Sequence, residues 1–245
     1  MNNVYSIIIV ALCTLFTEGV IAQNHFKATV LGGLNMSQID GDKQQGYRKP
    51  GLSLGLNGSI FIRPDFDIST ELLYNQKGAK PKANAEFQPN VSYSTFTYHY
   101  SEVALLANCY YNPSQVKGYY KNSIHFGFSY GRILKSSVKI TQNNIPFTAL
   151  ETDVSKNYNP KDFSFIVGWS QLLTPRLGVT IRHTNSINFL YKSSNYDFVY
   201  NGNGFEHLRP YFLSFQVFYN LISPNKVMGL RKKKGSPKTD PLEEL

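Results

Sequence analysis

The sequence predicts an all-β fold, an eight-stranded antiparallel up-and-down transmembrane β-barrel. Two patterns and one compositional feature lead there. In the stretch Gly51 to Gln76, Leu52, Leu54, Leu56, Ile60 and Ile62 alternate with Gly51, Ser53, Gly55, Asn57 and Ser59, so the two faces of one strand meet unlike surroundings. Arg63, Pro64, Asp65 and Phe66 turn the chain, and Ile68, Thr70, Leu72 and Tyr74 continue an apolar face opposite Asp67, Ser69, Glu71 and Asn75, which makes a hairpin. Its polar face is made of small residues suited to a crowded barrel lumen, with the apolar face turned outward. The second pattern is an alternation of long and short connections along the chain. The compositional feature is the aromatic load, 17 Tyr and 17 Phe in 245 residues, as membrane-interface girdles require. A soluble sandwich or lipocalin-like barrel shares that load, so the patterns decide.

Three segments are expected. Residues 1–22 read as a signal peptide: Ile7 to Phe16 is a short apolar run, and Val20-Ile21-Ala22 offers a cleavage site, although no Lys or Arg precedes the run. A run of ten residues, apolar but for Thr14, is too short for a spanning helix. Cys13 lies in that run without the sequence context of a lipoprotein, which leaves Cys109 as the one cysteine of the mature chain and rules out an intramolecular disulfide. Residues 23–222 form the barrel. Residues 223–245, with Lys226, Arg231, Lys232, Lys233, Lys234 and Lys238 against Asp240, Glu243 and Glu244, read as a basic, disordered periplasmic tail. A nucleic-acid role is not expected of it, because a nucleic acid would have to share its compartment.

The strands follow in order. Phe26 to Leu34 opens the barrel, and a polar connection from Asn35 to Pro50 leads into the hairpin. Gly78 to Tyr93 is a second long connection, interrupted by Lys80-Pro81-Lys82. Phe96 to Tyr111 is a fourth strand whose apolar phase slips between Tyr100 and Val103, predicting either a bulge or a move from an extramembrane extension into the lipid-facing band. After a turn at Asn112-Pro113, Ile124, Phe126, Phe128 and Tyr130 alternate with His125, Gly127, Ser129 and Gly131. Lys135 to Pro160 is the third long connection. Phe163, Phe165, Val167 and Trp169 mark a sixth strand, and Leu173 to Arg176 a short turn into Leu177, Val179 and Ile181. Asn185 to His207 is the last long connection, before Leu213, Phe215, Val217, Tyr219 and Leu221. Long connections thus follow strands one, three, five and seven. Outer-membrane barrels have long outer loops and short periplasmic turns, so the expected location is the outer membrane with both termini in the periplasm.

At Gly33-Leu34-Asn35-Met36-Ser37-Gln38-Ile39-Asp40-Gly41-Asp42 and Glu71-Leu72-Leu73-Tyr74-Asn75-Gln76-Lys77-Gly78, the chain resembles the PorT-like outer-membrane β-barrel family of Bacteroidota. Tyr100-Ser101-Glu102-Val103 looks like that family's fourth-strand motif, with Ala104 where proline is usual. Arg182 stands where the family often has an arginine, followed by His183 instead of the common aromatic. The resemblance covers nearly all of the mature barrel. It implies an outer-membrane location and, for some members, a part in type IX secretion; most members have no assigned activity.

For chemistry, Glu71, Glu102 and Arg182 are expected in the lumen as structural charge pairs, because an eight-stranded barrel has room for little besides side chains. A conducting pore is disfavoured on the same ground. Arg182-His183-Thr184-Asn185-Ser186 raises the alternative of an outer-membrane lipid A-modifying hydrolase. On a regular strand, however, residues three apart face opposite sides, so no catalytic residue is assigned. His25, His99, His125, His183 and His207 show no ligand spacing, and neither a metal nor a cofactor is expected. Tyr98, Tyr100, Tyr110, Tyr111, Tyr119 and Tyr120 are read as girdle or rim residues. A soluble periplasmic lipocalin-like binding protein is the remaining alternative, and it would place Leu54 inside and Asn57 outside. The leading expectation is a non-enzymatic, monomeric barrel, an envelope or type IX secretion-associated component, whose partners are outer-membrane lipids and other envelope or secretion proteins.

Overall fold

The computed structural model describes residues 25–41, 46–81, 92–114, 119–142, 145–146, 158–192 and 207–222. The expected signal peptide and basic tail lie outside them. Eight long strands make the barrel wall: β1 (Phe26–Asp40), β2 (Lys49–Arg63), β3 (Phe66–Ala79), β4 (Ser92–Pro113), β5 (Tyr120–Gln142), β7 (Lys161–Leu172), β8 (Leu177–Ser186) and β10 (His207–Ile222). Two short pieces, β6 (Ile145–Pro146) and β9 (Tyr191–Lys192), pair antiparallel with the long-loop ends of β5 and β10. Each wall strand pairs antiparallel with the next. Closure comes from β1 against β10, from Ala28 opposite Ile222 to Asp40 opposite Arg209. A closed wall leaves no strand edge in the membrane, where an unpaired backbone group would find no water.

The faces are inverted relative to a soluble protein. Leu56 is 58% exposed, Leu105 59% and Phe128 62%, while Asn35, Ser53, Ser59, Asp67 and Lys77 are fully buried. Between β5 and β7 the outward column runs Ile124–Trp169, Phe126–Val167, Phe128–Phe165 and Tyr130–Phe163 in cross-strand register. These aromatic and aliphatic pairs stabilise the sheet across its strands while offering hydrocarbon to hydrocarbon. Leu54 faces outward and Asn57 turns inward to donate to Glu71. The soluble lipocalin-like alternative is therefore overturned: it needs an apolar interior, and this interior is polar along most of its length.

At the short-turn end, Tyr111 accepts a hydrogen bond from the Trp169 indole at 2.7 Å. Toward the other end, Tyr130 and Phe163 pack at 5.0 Å and Tyr74 bonds His99 at 2.6 Å. Such pairs set an amphipathic ring at each border of an apolar band. A tilted spanning strand needs only about 9–11 residues, whereas β4 has 22 and β5 has 23. Their outward faces turn polar at Ser101 and Arg132, so the remainder of both strands projects past the band.

Several boundaries differ from the sequence reading. β1 continues through Asn35, Ser37 and Ile39, all buried, because its polar side chains face a lumen and not water. The connection expected from Asn35 is correspondingly shorter, and β5 likewise runs past Lys135 to Gln142. The bulge expected in the fourth strand lies instead in β5: His99 pairs with Lys135 and Tyr100 with Ile133, leaving Leu134 as the extra residue. In β4 the inward phase is unbroken, since Phe96, Tyr98, Tyr100, Glu102, Ala104 and Leu106 are all buried. The slip marks the other expected cause, the passage of β4 from an extension with its aromatic residues inside into the lipid-facing band with its apolar residues outside. Pro64 and Asp65 alone join β2 to β3, and residues 173–176 join β7 to β8, so the alternation of long and short connections holds.

Candidate functional site

The lumen is the candidate site, and it has two unlike halves. In the long-loop half, Lys77 is enclosed completely. Its ammonium lies 2.5 Å from Glu102 and 2.9 Å from Asp162, and 4.5 Å from the ring centroids of both Tyr100 and Phe212. Two carboxylates and two π-faces around one ammonium replace much of the hydration it lost. Beyond it Ile39, Ala79, Phe96, Tyr98, Ile133, Val138, Leu190 and Leu208 form an apolar cluster across the bore. Side chains thus fill this half, as an eight-stranded barrel allows.

Midway, Arg182 of β8 spans the bore to Glu71 of β3 with two guanidinium–carboxylate bonds of 2.6 and 3.2 Å, a planar fork that fixes both side chains. His125 lies beside this pair and presses on Gly168. A Cβ at Gly168 would fall 2.3 Å from His125 Nε2 and 2.7 Å from the Arg182 Cβ, so the missing side chain creates the space that the imidazole occupies.

The short-turn half holds a cavity of about 100 Å³ that reaches from Arg182 and His125 to Tyr110, Lys121 and Pro175 at the mouth. Lys27 lines it and pairs with Asp67 at 3.0 Å. Asp67 also accepts from Tyr110 at 2.6 Å and from Asn108. A volume of this size holds several waters or a few heavy atoms, and Lys27, Asn108, Tyr110 and Asn220 in its lining offer water polar partners.

Of the residues singled out in the sequence, Glu71 and Arg182 meet as expected. Glu102 is in the lumen but pairs with Lys77 and not with Arg182. Lys77, Asp162, Lys27 and Asp67 were missed as charge partners, although each stands in inward phase: Lys77 with Leu73 and Asn75, Asp162 with Ser164. Tyr98 and Tyr100 are not girdle residues as the sequence reading had them; both are 0% exposed. They lie above the apolar band, where the bore and not the bilayer offers burial. Tyr110 also faces inward, onto Asp67, while Tyr111 does belong to the girdle. His183 points outward with Nε2 3.2 Å from the Tyr47 hydroxyl, and Ser186 points inward with Oγ 3.3 Å from Ser164 Oγ. The two share no face, so no serine–histidine pair forms there. Tyr47 lies outside the spanning strands, and burial, then the Asp40 carboxylate, pushes its hydroxyl pKa up. Among the described residues no group of three or more His, Cys, Asp or Glu is placed to hold a metal ion.

A closed barrel with an apolar coat and a polar, charge-paired interior defines an outer-membrane barrel protein. The family comparison agrees: residues 21–192 match the outer membrane protein beta-barrel domain model, and the chain belongs to that family. Its location is accordingly the outer membrane. Comparison with curated proteins gives no match. Among solved structures, Ail, the attachment invasion locus protein of Yersinia pestis, is similar at 9% identity and a TM-score of 0.41, covering 80% of this chain and 99% of that one. Neisserial surface protein A is similar at 10% identity and 0.37, covering 79% and 96%. OprG from Pseudomonas aeruginosa is similar at 9% and 0.35, covering 82% and 99%.

Proposed function

We propose that the chain is a non-enzymatic component of the cell envelope, a sealed barrel that acts through the surfaces at its ends and not by conducting solutes. The carrying observation is the obstructed bore, in which Lys77, Glu102 and Asp162 interlock beneath the cluster of Phe96, Tyr98 and Leu208. An ion would have to part Lys77 from its two carboxylates and cross a packed apolar layer to pass. In planar bilayers the reconstituted protein should show no unitary current steps; a sustained conductance would overturn the proposal.

The finer reading is a PorT-like barrel of Bacteroidota, monomeric, with both termini in the periplasm, the long connections outside, and a role associated with type IX secretion. It is supported by the motifs Glu71 to Gly78 and Tyr100 to Val103, two of whose residues, Lys77 and Glu102, form a buried ion pair. The partners on this reading are outer-membrane lipids and envelope or secretion proteins. Removing the gene and measuring secreted cargo tests the secretion role: retention of cargo in the periplasm is expected, and unchanged secretion would remove it. Protease sensitivity of a C-terminal tag, restricted to permeabilised cells, is the expected sign of periplasmic termini.

A further inference from the structure

We propose that the outer wall carries a binding site for the phosphate of a membrane lipid, formed by Arg132 and Lys161 at the long-loop border of the apolar band. The two residues are direct cross-strand partners on β5 and β7, and both side chains are exposed. They stand one step beyond Tyr130 and Phe163, the last apolar pair of the outward column. Like charges directly opposite on neighbouring strands repel each other, yet among the described residues neither has an ion-pair partner. The adjacent acid, Asp162, faces the lumen and is held by Lys77, so the described strands of the wall supply no neutralising carboxylate at this point. On the β4 side the same row carries the neutral Ser101 and, one strand further on β3, Tyr74.

The missing counter-charge has an obvious source in position. A lipid whose acyl chains lie along Phe126, Phe128, Phe165 and Val167 brings its head group to the level of Arg132 and Lys161. A guanidinium beside an ammonium can then grip phosphate oxygens, Arg as a planar fork and Lys as a point charge. The aromatic pair beneath fixes the depth of the border, and basic residues at such a border attract anionic head groups. Ser101 adds a hydroxyl group without adding negative charge. The occupant is thus an anionic, phosphate-bearing lipid of the leaflet at the long-loop end.

The full-length protein would be placed in nanodiscs of equal phosphatidylglycerol and phosphatidylcholine, and the lipids retained on release would be counted by native mass spectrometry. Wild type should retain phosphatidylglycerol in preference, and the Arg132→Gln/Lys161→Gln double variant should lose that preference by about tenfold. The glutamines keep side-chain length and polarity, and an unchanged heat-dependent gel shift would certify the fold. Equal retention of both lipids by wild type, or an unchanged preference in the folded double variant, would overturn the proposal. Displacement of phosphatidylglycerol by millimolar inorganic phosphate alone would also overturn it, by showing a site for free anions and not for a lipid. A double variant that does not shift on heating would be replaced by the single variant Lys161→Gln, in which a partial loss of preference is expected and an unchanged preference refutes.

Discussion

The two halves of the lumen solve one problem in opposite ways. In the long-loop half, the Lys77 ammonium is at 0% side-chain exposure and its partners are nearly so; aromatic rings and an apolar cluster seal it. In the short-turn half, the Lys27 side chain remains 16% exposed beside Asp67 and borders a cavity open at the mouth. Both lysines are paired, yet their energetics differ. A sealed charge has only its protein partners to replace hydration, so removing one member strands the others; a charge beside an open cavity can fall back on water. The comparison teaches that a barrel interior is not one environment, and that access to water, more than residue type, sets what each charge is worth.

The largest expected effect tests the sealed half. Lys77→Met leaves Glu102 and Asp162 uncompensated in a dry bore and should destabilise the barrel by about 3 to 5 kcal/mol, measured by urea unfolding in lipid vesicles. The triple change Lys77→Met, Glu102→Gln, Asp162→Asn should recover much of that loss, because no unpaired charge remains. A triple variant as unstable as the single would show that packing and not charge governs this half.

The next effect places a charge on the other side of the wall. Leu54→Arg sets a guanidinium against hydrocarbon and should cost about 2 to 4 kcal/mol near the midplane, while Asn57→Ser should cost less, since Ser keeps a hydroxyl near Glu71. A lipid-soluble photoprobe should label a residue at position 54 and not at 57. Labelling confined to position 57 would contradict the inverted faces.

How much of this was legible in the sequence follows from the same physics. The spanning part was readable because lipid outside and polar groups inside impose a strict period of two, as in Leu52 to Ile62 and Ile124 to Tyr130. The projecting part was half legible, as one of two readings of the slip between Tyr100 and Val103. Beyond Ser101 and Arg132 the outer surface meets water, and the inner one holds Phe96, Tyr98, Tyr100 and Val138, so the hydrophobic face changes sides without any change of strand. That reversal is the slip of phase in β4, and it made Tyr98 and Tyr100 look like girdle residues. Charge pairing was half legible: Glu71 and Arg182 stood in inward phase, but which acid meets which base depends on closure of the barrel across 111 positions of sequence. Lys77 went unread as a partner of Glu102 for the same reason.

The smallest expected effect decides whether the contrast between the halves is one of water. Lys27→Met removes the cation beside Asp67, as Lys77→Met removes the one beside Asp162. In the open half, however, Asp67 keeps the Tyr110 hydroxyl at 2.6 Å and the Asn108 amide as donors, and water in the adjoining cavity can take the place of the ammonium. The cost should therefore be about 1 to 2 kcal/mol, between the values for exposed and for sealed pairs. It should also shrink as salt is raised, because a pair reached by solvent is screened and a sealed one is not. Unfolding titrations of Lys27→Met and Lys77→Met at low and high salt provide the measurement. Equal losses for the two variants, both insensitive to salt, would mean that the short-turn cavity is as dry as the long-loop plug.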